Sequence, residues 1–113
     1  MLRVTISRSD YNRWQGTAYR ILGELIVEGR DNNLPPLTWT LAITGALTGQ
    51  VPSLTAEERE QQRVTFTAWA THLGAAVTET AREDGRISLH GAFRRQGERV
   101  GAVRAAIWPD ESV

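Results

Sequence analysis

LTWTLAITGALTGQVPS, residues 37–53, decides how the rest of the chain is read. Leu37, Trp39, Leu41 and Ile43 alternate with Thr38, Thr40 and Ala42, a period of two that predicts a strand with one apolar face. LTGQV, residues 47–51, follows as a second strand, and the three residues 44–46 between the runs include Gly45. A glycine-bearing connection of that length predicts a β-hairpin. Gly49 inside the second run predicts a bulge, and Pro52 ends the strand. The stretch also offers a competing reading, because Gly45 and Gly49, flanked by hydroxyls, resemble a phosphate-cradling loop. That reading fails on chemistry. A Walker loop places a lysine on the phosphates; here the glycine spacing is one residue short and Gln50 stands where the lysine belongs.

There is no lysine anywhere. All 13 basic side chains are arginine, balanced by 13 acidic ones, so the formal net charge is zero. An all-arginine set fits either the coding bias of a GC-rich genome or selection for guanidinium forks that grip phosphates; zero net charge favours the first. Schiff-base chemistry is excluded with the lysines. The absence of cysteine excludes disulfides, thiol nucleophiles, cysteine-held zinc and iron–sulfur clusters. The chain's 113 residues fit a single domain, 1–113. No apolar run approaches the ~20 residues of a membrane span. MLRVTISRSD alternates apolar with polar residues and does not read as a signal peptide, so a cytoplasmic protein is expected, with no membrane partner.

Upstream of the hairpin, Leu2, Val4 and Ile6 alternate as a short strand or arm. Ser7 or Ser9 then caps a helix with Asp10 in its first turn, running to about Glu28 and stopping near Gly29. Tyr11, Trp14, Ala18, Ile21, Leu22 and Leu25 form its apolar stripe. Gly16 and Gly23, seven apart, each weaken an exposed helix by ~1 kcal/mol against alanine, a cost that a close contact would explain. Pro35 and Pro36 hold an extended connection. Downstream, Thr55 and Glu58 form a capping box for a second helix, whose face is Phe66, Trp69, Ala70 and Leu73 and whose end is Gly74. The last third reads as a three-strand meander turning at Asp84–Gly85 and Gln96–Gly97. The expected fold is α+β: two helices packed on one face of an antiparallel sheet, in the order short strand, helix, hairpin, helix, meander. Whether hairpin and meander share one sheet stays open.

Candidate chemistry is sparse. A two-residue turn at Asp84–Gly85 sets Glu79 opposite His90, either an acid–base pair or an ordinary cross-strand neighbour. His72 joins His90 in no HxH or HExxH spacing, so no metal site and no cofactor are expected. Arg13 and Arg20 on the first helix, with Arg94, Arg95 and Arg99 about the second turn of the meander, form a candidate nucleic-acid contact set. Trp14, Trp39 and Trp69 are read as core. Trp108, at the end of a strand with small or apolar residues on both faces, is the interface candidate.

LPPLTW (34–39), LTGQV (47–51) and FTAWATHLG (66–74) together resemble a group of small uncharacterised actinobacterial proteins, often associated with mobile or variable genome segments. The resemblance covers roughly residues 34 to 74. It implies a genome type and no activity, and it carries no catalytic residue. With no coherent catalytic set, the first expectation is a small non-enzymatic protein-interaction or regulatory module, working as a homo-oligomer. The alternatives are a nucleic-acid-associated accessory protein using its surface arginines, and a small enzyme built on His90 and Glu79.

Overall fold

A computed structural model of the chain describes residues 5–52, 59–95 and 98–107, with the side chains of Arg59, Glu98 and Arg99 left aside. Seven elements follow in order: α1 (Arg8–Asp31), β1 (Thr38–Leu41), β2 (Leu47–Gln50), α2 (Arg59–Leu73), β3 (Ala76–Ala81), β4 (Ile87–Arg95) and β5 (Glu98–Ile107). The expected α+β class holds, with two corrections. Of the expected arm, residues 2–6, positions 2–4 lie outside the described set, and Thr5 and Ile6 carry no strand. The sheet is also mixed rather than antiparallel. Its strand order is β1-β2-β5-β4-β3, so hairpin and meander form one sheet, and β2 joins β5 in parallel.

Helix α1 begins at Ser7, whose Oγ accepts from the Asp10 amide at 3.1 Å while Asp10 Oδ2 accepts from the Ser7 amide at 3.0 Å. This reciprocal box satisfies two orphan donors of the first turn. The helix runs past Gly29, two residues beyond its expected end. It stops where Asn33 takes φ 57°, with the Leu34 amide donating to the Gly29 carbonyl at 2.8 Å. Asparagine tolerates that left-handed geometry. Gly29 serves packing instead: a Cβ there would stand 2.8 Å from the Trp69 ring. Helix α2 ends as expected at Gly74 (φ 62°), with the Ala75 amide bonded to the Ala70 carbonyl at 2.9 Å. Its expected capping box, Thr55 and Glu58, lies outside the described residues.

Both described hairpins depart from the expected register: the first by two residues, with Leu47 opposite Leu41 rather than Ile43, and the second by one. Each has a three-residue loop, 43–45 and 83–85, ending on a glycine with positive φ (Gly45 83°, Gly85 85°). The flanking pairs are tied by the Ala42 amide to the Ala46 carbonyl at 2.9 Å and the Arg82 amide to the Arg86 carbonyl at 2.8 Å. Glycine is the residue that takes this last loop position without strain. The expected bulge at Gly49 is absent, since β1 and β2 pair without interruption and Gly49 sits opposite Trp39, where a side chain would strike the indole. The register shift falls instead between Phe93 and Arg94.

One face of the sheet carries the core. Leu47, Leu89, Phe93, Val103, Ala105 and Ile107 are buried beneath Phe66 and Trp69 of α2 and Ala18 and Leu25 of α1. The small and apolar residues on both faces of β5 mark it as the sheet's central strand. Trp69 is fully in the core; Trp39 is half-buried against it; Trp14 is half-buried beside Tyr11 and stands outside the core cluster.

Candidate functional site

The first candidate pair is not formed. Because the loop after β3 has three residues, Glu79 pairs with Leu89, and His90 pairs with Thr78 and Arg104. Side chains alternate across a strand, so a one-residue slip sends Glu79 and His90 to opposite faces. Glu79 turns to the helix side, where its Oε1 accepts from Arg63 of α2 at 3.3 Å. His90 lies on the open face, in a row Thr38, Gln50, Arg104, His90, Thr78 that crosses all five strands. His72 and His90 are likewise on opposite sides of the sheet. Among the described residues no three His, Asp or Glu side chains gather closely enough to hold a metal ion.

His72 has a different role, one that no motif signalled. Its Nε2–H donates to Glu28 Oε1 at 2.8 Å, and Arg95 Nη2 reaches both oxygens of the same carboxylate at 2.6 Å. Arg95 Nη1 lies 3.8 Å from Glu24 Oε2. A half-buried carboxylate thus ties α1 to α2 and to the end of β4. The Arg95 hydrogen bonds are the main cause that holds the Glu28 carboxyl below its ordinary value of 4.5; burial pushes the other way, and the weaker pull of the His72 hydrogen bond adds to that of Arg95. A lowered carboxylate pKa contributes stability that is present above 4.5 and is lost as pH falls through the lowered folded value. Glu28→Gln is therefore expected to cost about 1–2 kcal/mol at neutral pH, between the exposed and buried limits for an ion pair. The gap to wild type should narrow in acid. Urea unfolding at neutral and acidic pH measures it, and a gap that stays constant with pH would refute the assignment.

Of the described candidate arginines, Arg20 and Arg95 meet on the Glu24 carboxylate, and Arg13 lies apart from them. Arg13 pairs with Asp10 at 3.2 Å and Arg20 with Glu24 at 3.4 Å. Arg95 is drawn inward to Glu28, while Arg94 is exposed. Arg13 and Glu28 are fifteen residues apart on one helix, about 22 Å at 1.5 Å per residue, so Arg13 and Arg95 share no patch. The Arg99 side chain and Trp108 lie outside the described residues.

A surface that sequence reading passed over lies between α2 and β3. Strand β3 is a sheet edge, and all six of its residues are exposed. A groove of about 480 Å³ runs beside it, with Phe66, Ala70, Val77 and Leu89 in its walls and the Arg63–Glu79 pair bridging it. Val77 is 53% exposed there. Its signal in the sequence was weak: Ala75, Ala76 and Val77 begin a strand with little side-chain mass, which leaves the flank of α2 uncovered.

The described residues form an α+β fold of two helices on a five-stranded mixed sheet. No protein-family model, curated protein or solved structure matches it. No helix among the described residues is long and apolar enough to cross a membrane.

Proposed function

We propose that the chain is a small non-enzymatic protein-interaction module that works as a homo-oligomer and receives an extended partner segment along β3. The observation that carries this reading is β3 itself, an exposed edge strand beside an apolar groove. An edge offers a row of main-chain donors and acceptors, and the neighbouring groove takes alternate side chains of an added strand. Exposed edges are normally blunted by charge, proline or a bulge. Strand β3 has one charged residue, Glu79, and it is held against Arg63.

Selection from a library of extended peptides tests the reading. Peptides that bind wild type should bind Val77→Glu at least about tenfold more weakly, a change of ~1.4 kcal/mol. Val77 is half-exposed, so its substitution should move fold stability by no more than ~0.5 kcal/mol. Failure to select any peptide, or binding indifferent to Val77, would remove the β3 site.

A further inference from the structure

The outward face of α1 has no partner among the described residues. Tyr19 is 74% exposed, Ile26 54% and Val27 44%. A Cβ built at Gly16 or Gly23 meets nothing within 4 Å, so no contact among the described residues accounts for two glycines in this long helix. Asn12, Gly16, Tyr19, Gly23, Ile26 and Arg30 are all exposed and follow one another at steps of four and three. That is the spacing of a helix–helix seam, with glycine recurring every seventh residue. We propose that this seam pairs two copies of the chain through antiparallel α1 helices.

Shape and charge both choose a second, antiparallel copy. With the two-fold axis at residue 21, Tyr19 of one copy lies over Gly23 of the other, Ile26 over Gly16, and Arg30 beside Asn12. Both large apolar seam residues, Tyr19 and Ile26, then face a glycine, and the absent side chains let the helices approach closely. One flank of the seam carries Arg13 and Arg20 in the first half of the helix and Glu24 and Asp31 in the second. Antiparallel pairing brings Arg13 within a turn of Asp31 and Arg20 within a turn of Glu24, on both sides of the axis. Within one chain these charges are held in exposed ion pairs, Arg13 with Asp10, Arg20 with Glu24 and Asp31 with Arg30, which are weak enough to be exchanged for or extended by charges of a second copy. A parallel pairing sets glycine on glycine and like charge on like charge. A two-fold interface must be self-complementary in this sense.

The inference rests on the interaction reading for its premise that the chain associates, but it uses a face away from β3. Sedimentation equilibrium of the full chain is expected to give a dimer that weakens with salt. Gly23→Leu and Ile26→Glu should each weaken it at least about tenfold. Gly23→Leu fills open space and improves helix propensity, so its thermal melting should not fall below that of the wild-type monomer, which separates lost pairing from lost folding. The reversal Arg20→Glu should weaken the dimer, and Arg20→Glu with Glu24→Arg should restore it. The chain has no cysteine, so orientation is read by oxidation: Asn12→Cys mixed with Arg30→Cys should form the mixed disulfide, and Asn12→Cys alone should form none. A monomer, a dimer indifferent to Gly23 and Ile26, or a disulfide between two Asn12→Cys chains would each overturn the pairing. A monomer that still selects β3 peptides defeats this inference alone; a seam dimer that selects none defeats the β3 site alone.

Discussion

Gly101→Ala is expected to cost about 3 kcal/mol or more and to open the sheet between β2 and β5. Gly101 stands opposite Leu47 in the parallel pair, and an added Cβ would collide with the Leu47 carbonyl oxygen and lie 2.7 Å from its carbonyl carbon. Both obstacles are backbone, so no rotamer change relieves them. The strands must separate, and the separation falls at the one place where hairpin and meander are joined. Leu47 and Val103, each fully buried at that junction, would lose their packing together. A domain of this size has only ~5–15 kcal/mol of stability in total. Urea unfolding followed by circular dichroism reads the loss, and hydrogen exchange should show the opening first at β1 and β2. Gly23→Ala, measured at dilutions where the chain is monomeric, is the comparison, because within one chain its new methyl meets open space and is expected to gain up to ~1 kcal/mol. A Gly101→Ala protein within ~0.5 kcal/mol of wild type would mean that the β2–β5 approach is looser than described.

The contrast between those two glycines also shows what the sequence could and could not convey. Elements with a local cause were legible: the α1 cap at Ser7 and Asp10, the α2 stop at Gly74, and the alternation of Trp39 and Leu41. The turn at residues 83–85 was legible as a turn and illegible as a length, because Asp84–Gly85 suits a two-residue loop and the end of a three-residue loop equally well. That single residue decided whether Glu79 met His90. The parallel β2–β5 pair had no local signal. Its trace was β5 itself, small or apolar on both faces as a central strand must be, and the same feature was read as an interface. The Glu28–His72 contact joins residues 44 apart, and no periodicity reports on it. Gly16 and Gly23 were visible as a cost, and only their empty surroundings turn that cost toward a partner.

Trp69→Ala is expected to cost about 4 kcal/mol, within the range for deleting a buried tryptophan side chain. The indole is 2% exposed and joins parts of the chain that otherwise meet little. Its ring tip occupies the space left by Gly29, which is how α2 gains access to α1. Its Nε1–H donates to the Pro35 carbonyl at 2.7 Å and fixes the connection between α1 and β1. Edge-on contacts reach Trp39 of β1, with ring centroids 5.7 Å apart, and His72 at 6.1 Å. Truncation therefore leaves a cavity, an unpaired carbonyl and a His72 no longer braced against Glu28. Trp69→Phe keeps most of the volume but loses the hydrogen bond, so about 1–2 kcal/mol is expected for it. The two variants separate packing from polarity. If both cost the same, the Pro35 hydrogen bond rather than the ring's bulk would be what holds α1 to the sheet. If Trp69→Ala alone is severe, α1 is docked by volume, and in that variant the Glu28 network should lose its pH dependence as the helix comes away.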